Sequence, residues 1–412
     1  MAPPDPWLDL TAAAWGEIPG RPLRFYLHVP YCTHRCDYCD FTTYTPDDPR
    51  GRGQAQWLPG VRTELALAAR VLPAALAGPV HSIFIGGGTP TLLAPETLGV
   101  AIADIADRWG LMADCEITVE ANPETITPSL AAGLLAAGVT RVSVGMQSAV
   151  PAVLGALGRR HRPSTMVTAI ECLRRAGLQR LSVDLIYGAD GESLAQWQVS
   201  VQAALDLGVG HISAYGLIVE PGTALAARVA RGVTRPPDDE DLAIKYELAD
   251  AAFEAAGLRW YEIANWARPG EQCAHNSGYW RADTWWGVGP GAHSHLGGVR
   301  WWNRTNPHAW QVGLADVRGD RREARWPVAG WELLSAEQRA LEQAMCTVRL
   351  RRPWPVLGNG RLRAALVAEG LVVPVGVHHA SLTRRGRLLA DHVVHRTLDA
   401  AGECWMTPAS AS

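Results

Sequence analysis

The stretch Phe25-Tyr26-Leu27-His28-Val29-Pro30-Tyr31-Cys32 runs directly into Thr33-His34-Arg35-Cys36-Asp37-Tyr38-Cys39, so a short β-rich run is followed by three cysteines in eight residues. A cubane iron–sulfur cluster needs four ligands, and the CxxxCxxC spacing supplies three thiolates. The fourth iron is then left without a protein ligand and is free to bind another molecule. The residue after Asp40 is Phe41 and not a fourth cysteine.

Two other interpretations of these three cysteines stay open at this point. Zinc sites usually pair one CxxC with a second, distant pair, and the sequence has no second pair, although His28 and His34 could be recruited. Clustering of plain buried cysteines is the other alternative, but the polar residues between them favour a loop. The remaining cysteines are scattered, and we expect most of them to be small core residues: Cys115, Cys172, Cys273, Cys346 and Cys404.

The overall composition narrows the class of protein. The chain has 412 residues, enough for two or three domains, and its net charge of −3 gives no electrostatic reason to expect a nucleic-acid partner. No uninterrupted apolar run reaches the ~18–20 residues of a membrane span. The start, Met1-Ala-Pro-Pro-Asp-Pro, lacks the basic and apolar regions of a signal peptide. We therefore expect a cytoplasmic protein that is not integral to a membrane.

Short β-rich runs alternate with alanine- and leucine-rich segments of helical period. Glycines stand just past three of these segments, where helix C-caps belong. Six such repeats predict a parallel α/β domain. They are short of the ~250 residues of an eight-fold barrel, so spacing leaves both an open sheet and an incomplete barrel open. The β-rich runs are Arg24–Val29, Ser82–Ile85, Cys115–Val119, Arg141–Val144, Arg180–Ile186 and His211–Leu217; the helical segments include Trp57–Val71, Pro128–Ala137, Thr165–Ala176 and Leu194–Leu207; the glycines are Gly138, Gly177 and Gly208.

Polar residues and glycines gather near the ends of these β-rich runs. Gly86-Gly87-Gly88-Thr89 follows the second run, Glu120 ends the third, Gln147 follows the fourth and Asp184 lies within the fifth. Parallel α/β folds place their ligand sites at the carboxyl ends of the strands. We therefore expect these residues to share one site, although the glycines alone could form a plain turn and either acid could be a helix cap.

The alternation stops near Arg235, and the rest of the chain has a different character. A helix is predicted over Glu240–Ala256, a strand pair near Leu371–Val377 and a last helix around Arg385–Leu398. These features predict a lead-in over residues 1–22, an α/β domain over 23–235, a Trp-, Gly- and His-rich middle region over 236–330 and a helical, winged-helix-like domain over 331–412. Its arginines fit a solvated face as well as a DNA-binding one.

Several ordered motifs resemble the radical S-adenosylmethionine (SAM) superfamily and, within it, the coproporphyrinogen oxidase-like group. The resemblance runs from about Arg24 to Leu382-Thr383-Arg384-Arg385-Gly386. Besides the cysteine run, it rests on Gly86-Gly87-Gly88-Thr89-Pro90-Thr91, Glu120-Ala121-Asn122-Pro123, Gly145-Met146-Gln147-Ser148 and Asp184-Leu185-Ile186-Tyr187-Gly188. It implies an α/β fold in which an incomplete (β/α)6 TIM-type barrel precedes a smaller mixed α+β C-terminal domain.

The resemblance also implies two cofactors, a [4Fe–4S] cluster and SAM. The cluster would be bound by Cys32, Cys36 and Cys39. Arg159 is similar to the arginine that pairs with the SAM carboxylate in this group. The positions expected around SAM are Tyr26, Tyr38, Gly87, Gly88, Thr89, Glu120, Gln147, Arg159 and Asp184.

The group contains two classes of protein, an oxygen-independent coproporphyrinogen III oxidase and a heme chaperone. The oxidase pattern is CxxxCxxCxC, whereas this chain has Phe41 at the last position, and the oxidase also has a longer segment before the cluster. Cys273-Ala274-His275-Asn276-Ser277-Gly278-Tyr279-Trp280 contains HNxxYW, which is similar to the chaperone signature. The chaperone is therefore the expected class, and the oxidase is the alternative.

Heme is the third expected cofactor, and His275 is its expected contact because neutral imidazole is a common axial ligand of heme iron. His293 and His295 are alternative ligands, as is the thiolate of Cys273, and His275 could also be a structural histidine. The resemblance implies transient delivery of heme to a membrane-bound respiratory hemoprotein.

Overall fold

The computed structural model describes residues 21–51, 53–72, 78–315, 326–356 and 360–405. The predicted lead-in over residues 1–22 therefore lies almost entirely outside the described residues.

Six parallel strands form the centre of the main sheet and lie side by side in chain order. A doubly wound fold reverses its strand order partway through the sheet, whereas this order is the one expected for the wall of a barrel. The α/β prediction is confirmed, and each β-rich run of the sequence lies within or almost within a strand. The strands are β1 (Leu23–Val29), β2 (Val80–Gly87), β3 (Leu111–Ala121), β4 (Arg141–Gln147), β5 (Arg180–Tyr187) and β6 (His211–Gly216).

Helices connect these strands and form an outer layer in which α1 packs on α2, α2 on α3 and α3 on α5. The capping box of Ser193 with Gln196 starts α6, and Gly177, at φ +102°, ends α5 as predicted. The helices are α1 (Trp57–Val71), α2 (Pro95–Trp109), α3 (Pro128–Ala136), α4 (Pro151–Ala156), α5 (Pro163–Ala176), α6 (Leu194–Asp206), α7 (Ala224–Ala230) and α8 (Asp239–Ala255).

The Trp- and His-rich middle region continues the same sheet at both edges. On one side β8 pairs antiparallel with β6 and carries β7; on the other, β9 pairs parallel with β1 and is followed by the antiparallel strands β10, β11 and β12. The predicted boundary near residue 235 therefore does not end the sheet. The elements are β7 (Arg259–Glu262), β8 (Asn265–Ala267), α9 (Ala274–Trp280), β9 (Thr284–Val288), β10 (His293–Leu296), β11 (Val299–Asn303), α10 (Pro307–Ala315) and β12 (Val328–Leu333).

The C-terminal segment packs helices around a small antiparallel sheet of order β13-β15-β14. It is tied to the barrel helices by Arg387, whose buried guanidinium lies 2.6 Å from Asp250 of α8. No helix in the described ranges is both long and apolar enough to span a membrane. The elements are α11 (Ala336–Val348), β13 (Trp354–Pro355), α12 (Arg361–Ala368), β14 (Val372–Val375), β15 (His379–Leu382), α13 (Arg384–Leu388) and α14 (Ala390–Trp405).

Candidate cluster and cofactor site

A cavity of about 430 Å³ opens at the carboxyl ends of the parallel strands. This is the position at which parallel α/β folds bind their ligands. Of the site residues predicted from the sequence, only Thr89 does not line it; its side chain lies behind the wall, against Cys32. The predicted residues that line the cavity are Tyr26, Cys32, Cys36, Tyr38, Cys39, Gly87, Gly88, Glu120, Gln147, Arg159, Asp184 and His275.

The cysteine loop between β1 and α1 is fastened by backbone hydrogen bonds. The amide of Cys32 donates to the carbonyl of Tyr44 at 3.0 Å, and the amide of Tyr44 donates to Pro30 at 2.7 Å. Farther along, Asp37 accepts from the guanidinium of Arg228 at 2.8 Å. These bonds hold both ends and the middle of the loop over the strand ends, so that the loop is positioned by the barrel rather than by its own short-range structure.

The three cysteines are free thiols, and each is half-buried. Burial raises the pKa of Cys32 to about 11, partly offset by the Thr89 hydroxyl, which donates to its sulfur at 3.6 Å. The Arg159 guanidinium donates to the sulfur of Cys36 at 3.5 Å. Without iron the Cys32 thiol is therefore protonated, and metal binding must displace its proton.

Within the described ranges, no three His, Cys, Asp or Glu side chains converge on one metal-ion position. The expectation that Cys32, Cys36 and Cys39 bind a cluster therefore rests on their spacing and not on a preformed metal-ion position.

The glycine turn after β2 brings backbone against the cysteine loop. A Cβ on Gly88 would lie 2.6 Å from the carbonyl oxygen of Tyr31 and 3.0 Å from the sulfur of Cys32. Gly87, at φ +111°, would place a Cβ 2.5 Å from the ring of His28. Since real Cβ atoms do not approach this closely, only glycine fits at either position.

Glu120 lies beneath this turn and accepts a hydrogen bond from the Gly87 amide at 2.9 Å. Its carboxyl group is buried, and burial raises its pKa to about 7, with the nearby charge of Asp184 adding to the shift. Asp184 is also buried, and burial raises its pKa, while Ser213 and Ser143 donate hydrogen bonds that oppose the shift. Two carboxyl groups with raised pKa values therefore face the cavity, Glu120 from β3 and Asp184 from β5.

Arg159 joins the cavity wall to the cluster loop. Besides its contact with Cys36, its guanidinium donates to the side-chain oxygen of Asn122 at 2.7 Å and to the carbonyl of Gly145 at 2.9 Å. Asn122 in turn donates to the Thr89 hydroxyl at 2.9 Å. This chain of bonds fixes a permanent positive charge beside the cluster thiols.

Gln147 has two features that are typical of a residue that binds a ligand. It is a non-glycine residue at φ +60°, at a bulge in the pairing of β4 with β5. Its side-chain oxygen is buried without a hydrogen-bond partner among the described residues. Backbone strain and an orphan acceptor at one residue are typical of binding sites.

Two aromatic side chains close the cavity near the loop. Tyr26 stacks on Phe84 with ring centroids 6.2 Å apart, and its hydroxyl bonds to Nδ1 of His28 at 2.9 Å. Nε2 of His28 donates to the carbonyl of Thr42 at 2.8 Å. Burial raises the pKa of Tyr38 on the opposite wall. The Tyr26–His28–Thr42 chain links the wall to the end of the cysteine loop.

His275, the predicted heme contact, lies buried in the same cavity wall. Its Nδ1 is 2.9 Å from the hydroxyl of Ser82, and its Nε2 is 2.9 Å from the hydroxyl of Tyr279. Burial and the nearby Arg24 guanidinium lower its pKa well below the usual range, so the ring is neutral and carries one proton.

The position of that proton follows from the hydrogen-bond partners. Ser82 already accepts from Arg24 at 2.8 Å, and its own hydroxyl proton has no described acceptor other than Nδ1 of His275. Leaving a buried hydroxyl unpaired is costly, so Ser82 donates to Nδ1 and the ring proton lies on Nε2. His275 therefore donates to Tyr279, whose own hydroxyl proton is left to face the cavity.

Sequence reasoning did not select several residues that contribute to this wall. Asn122 lies within the quoted motif Glu120-Ala121-Asn122-Pro123 but was not assigned a role. Ser143 and Ser213 are small polar residues inside strands that are predicted to end at the site, and this pattern could have indicated them. Nothing in the sequence indicated that His211 bonds to Ser182 at 2.7 Å and to Tyr261 at 2.9 Å, repeating the Ser–His–Tyr arrangement deeper in the cavity. Those contacts join residues 29 and 50 positions apart.

The fold and the loop of three thiols define the class of protein. Sequential parallel strands with CxxxCxxC after the first strand are the arrangement of a radical SAM protein. The family described as the radical SAM superfamily matches residues 26–204.

Two curated relatives narrow the class. The chain is 47% identical over 385 residues to the heme chaperone HemW of Mycobacterium tuberculosis, covering 92% of this chain and 96% of the relative. It is 35% identical over 277 residues to HemW of Escherichia coli, covering 67% of this chain and 70% of that relative. The chain therefore belongs to the HemW family of the radical SAM superfamily.

A solved structure supports the same fold. The structure of HemN from Escherichia coli, described as a coproporphyrinogen III oxidase and a radical SAM enzyme, superimposes with a TM-score of 0.78 over 93% of this chain and 92% of that chain. At 19% identity this likeness shows the fold alone.

Membership of the superfamily implies a [4Fe–4S] cluster and SAM, and the residues present fit both. The half-buried thiols have two hydrogen-bond donors beside them, Thr89 and Arg159. The glycine turn leaves room that a Cβ would fill. The side-chain oxygen of Gln147 is buried and accepts no hydrogen bond from the described residues. A ligand with amino, carboxylate and ribose groups would satisfy these positions.

Proposed function

We propose that this protein is a heme chaperone that binds heme together with a [4Fe–4S] cluster and SAM and delivers heme to respiratory hemoproteins. The observation that carries the proposal is the 47% identity, over almost the whole length of both chains, to a protein named heme chaperone HemW. The geometry of the cavity is compatible with it, and the experiment below tests it.

Each predicted cofactor residue has a proposed task. Cys32, Cys36 and Cys39 would hold the cluster, which would supply an open iron position for SAM. Arg159 pairs with the SAM carboxylate, for which it is placed by Asn122 and Gly145. The other residues that bind or orient SAM are Tyr26, Tyr38, Gly87, Gly88, Thr89, Glu120, Gln147 and Asp184.

His275 contributes to heme binding through Tyr279. The imidazole proton holds the phenol in place, and the free phenol proton faces the cavity. Tyr279 then presents a flat, amphipathic ring and one hydrogen-bond donor, which suits a macrocycle that carries propionates. In this role His275 contacts heme indirectly, by positioning the residue that touches it.

The oxidase alternative has no specific observation in its favour. Its pattern has a cysteine where this chain has Phe41, and Phe41 is 55% exposed at the rim of the cavity. An exposed phenyl ring on the cluster loop suits contact with a flat apolar ligand. The likeness to HemN does not distinguish the two functions because it extends to the fold only.

The proposal includes the partner and the compartment. The acceptor is a membrane-bound respiratory hemoprotein that docks transiently, and the chaperone acts from the cytoplasm. Delivery from outside the bilayer requires that heme leave from a surface of the chaperone, and the cavity with its exposed Phe41 opens to such a surface.

The test compares binding, turnover and transfer in one preparation. Protein reconstituted with iron and sulfide without oxygen is titrated with hemin, assayed for coproporphyrinogen III turnover, and mixed with membrane vesicles that contain a heme-depleted respiratory enzyme. We expect the protein to bind heme stoichiometrically and to restore the activity of the respiratory enzyme in the vesicles. We expect no turnover of coproporphyrinogen III. Cys36→Ala serves as the cluster-deficient comparison.

Two outcomes would contradict the proposal. Coproporphyrinogen turnover with a kcat on the order of 1 s⁻¹ or more would identify an enzyme. Absence of heme binding by the reconstituted wild type would remove the chaperone function altogether. A full complement of cluster iron in Cys36→Ala would separately disprove the assignment of three thiolate ligands.

A further inference from the structure

The buried position of His275 leaves the iron ligand of heme unassigned. Both ring nitrogens of His275 are engaged, Nδ1 by Ser82 and Nε2 by Tyr279, and the residue is 1% exposed. Coordination of iron would break one of these bonds inside a closed wall. The cavity itself, at about 430 Å³, is near the lower end of the ~300–1,000 Å³ of ligand pockets. SAM is expected to occupy this same cavity, so a second large ligand would compete with it for space.

A second depression lies on the other side of the same wall. We call it the His293 groove; it has a volume of about 470 Å³ and is open to solvent. Tyr26, Phe41 and Tyr279 line both the cofactor cavity and this groove. Trp285 and His293 complete its aromatic lining, and Trp285 packs edge-on against Tyr279 with ring centroids 4.7 Å apart.

His293 has the properties of an available metal ligand. It is the first residue of β10, its side chain is exposed, and its ring stacks on Trp302 with centroids 5.9 Å apart. Neither ring nitrogen has a hydrogen-bond partner among the described residues. Partial burial and the charge of Arg300 lower its pKa, so the imidazole is neutral near pH 7, as iron coordination requires.

Other histidines near the wall lack these properties. His28 uses both ring nitrogens, with Tyr26 and Thr42 as partners. His295, on the same face of β10, is 6% exposed, and its Nε2 lies 3.9 Å from the carboxylate of Glu342. His34 belongs to the cluster loop, between two of the thiols. Of these rings, His293 alone combines exposure, free nitrogens and aromatic neighbours.

We propose that the His293 groove binds the heme macrocycle and that His293 is an axial ligand of its iron. This inference rests on the proposed heme-chaperone function and assigns its iron site. Phe41, Tyr279 and Trp285 supply apolar and aromatic surface against the porphyrin. His275 is then a positioning residue, which holds Tyr279 in the wall between the groove and the cofactor cavity.

The position of the groove suits both loading and release. The groove is open, so an acceptor can approach the heme without unfolding of the barrel. It also touches the cluster loop, since a Cβ on Gly291, two residues before His293, would lie 2.9 Å from the hydroxyl of Thr42. Heme in the groove would thus contact the loop that carries the three cysteines, at Phe41 and Thr42.

The test identifies the iron ligand by exchanging it. Reconstituted wild type, His293→Ala, His293→Cys and His275→Ala are titrated with hemin, and absorption, magnetic circular dichroism and electron paramagnetic resonance spectra are recorded. His308→Ala, at an exposed histidine of α10, is the matched control. We expect histidine-ligated heme in the wild type, His275→Ala and the control. In His293→Ala the affinity should fall roughly tenfold or more, equivalent to about 1.4 kcal/mol.

The cysteine variant keeps the test decisive if His293→Ala folds poorly. Thiolate coordination has its own spectrum, and only a residue bound to the iron can cause the change from imidazole to thiolate. An unchanged histidine spectrum in both His293 variants would overturn the inference while leaving the heme-chaperone function intact. Loss of that spectrum in His275→Ala but not in His293→Ala would identify His275 as the iron ligand. If the wild type binds no heme, the result contradicts the proposed heme-chaperone function itself and not only the assignment of the ligand.

Discussion

At the scale of single residues, the contact between Gly88 and the cysteine loop decides whether the cluster can form. A methyl group at this position has no space, since Tyr31 and Cys32 lie 2.6 and 3.0 Å from the ideal Cβ. We predict that Gly88→Ala displaces the loop and lowers the iron and sulfide content of reconstituted protein to less than about half of the wild-type value, as expected when backbone must move to remove a clash.

Gly155→Ala is the matched control for this prediction. Gly155 lies in α4, has an ordinary helical backbone and has nothing within 4 Å of its ideal Cβ. Alanine should therefore be tolerated there, and iron content should stay at the wild-type level. Equal cluster content in Gly88→Ala and Gly155→Ala would show that the glycine turn does not constrain the thiolates.

His28 gives the fold a dependence on pH. Because a carbonyl can only accept, Nε2 of His28 carries the proton and Nδ1 accepts from Tyr26. Burial lowers its pKa from 6.5 to about 4. As the pH falls below 6.5, His28 takes up a proton in the unfolded chain but not in the folded one. The contribution of neutral His28 to the free energy of unfolding is therefore complete above pH 6.5 and is lost as the pH falls towards 4. The full loss is about 3 kcal/mol.

The measurement compares urea unfolding of the wild type and His28→Gln between pH 7.5 and 4. The difference in unfolding free energy between the two proteins should shrink by about 3 kcal/mol over this range, because glutamine does not titrate. Parallel pH profiles for wild type and His28→Gln would contradict a neutral buried imidazole.

At the scale of elements, one buried ion pair joins the C-terminal segment to the barrel. Asp250 of α8 accepts two hydrogen bonds from Arg387 of α13, at 2.6 and 2.7 Å. It also accepts one from Arg384 of the same helix and one from the indole of Trp266 at 2.8 Å. Asp250→Ala leaves the guanidinium buried without its counter-charge. We predict a loss of about 3–5 kcal/mol in the free energy of unfolding, measured by urea denaturation.

Glu254→Ala provides the comparison on the same helix. Glu254 pairs with Arg384 at 3.0 Å, but the two side chains are 47% and 40% exposed. Exposed pairs contribute about 0–1 kcal/mol, so this variant should unfold almost as the wild type does. Similar losses in the two variants would mean that the Asp250 pair is not the principal link between α8 and α13.

The edges of the sheet illustrate how elements form the site. β9 lies beside β1 only because the chain returns more than 250 residues later, with Leu23 opposite Thr284 and Phe25 opposite Trp286. This return brings α9, with His275 and Tyr279, and β10, with His293, to the side of the barrel that carries the cysteine loop. The heme-related motifs are thus part of the barrel wall.

At the scale of the whole molecule, the cofactor cavity and the His293 groove share Tyr26, Phe41 and Tyr279. A ligand that orders this wall from one side makes binding on the other side less costly. We predict that saturating SAM tightens heme binding to the reconstituted protein by about fivefold or more, and that heme tightens SAM binding by the same factor, since linkage is reciprocal. Equilibrium titration of each ligand with and without the other measures both factors.

Removal of the shared ring isolates the cause of this coupling. In Tyr279→Ala the two dissociation constants should become independent of each other. Trp302→Ala, which removes a ring that stacks on His293 but is not part of the shared wall, should weaken heme binding and preserve the coupling. Equal heme affinity with and without SAM in the wild type would show that the shared wall does not couple the two binding sites.

The sequence by itself determined the class of protein and predicted most of the residues that the fold brings together around one cavity. The spacing of Cys32, Cys36 and Cys39, the strand–helix alternation and the glycine turn before Thr89 are local features, and their consequences follow from short-range geometry. The carboxyl ends of successive parallel strands must meet at one edge, so the sequence alone predicts that Glu120, Gln147 and Asp184 lie together.

Only the tertiary structure decided what the histidines do. Whether an imidazole is free depends on which side chains surround it, and the partners of His275 include Ser82, 193 positions away. Likewise, the exposure of His293 depends on the pairing of β9 with β1, which no local pattern encodes. Hydrogen-bond satisfaction and burial arise from non-local packing. For that reason the motif predicted a heme contact at His275, while only the fold shows that His275 is buried with both ring nitrogens bonded and that His293 is exposed.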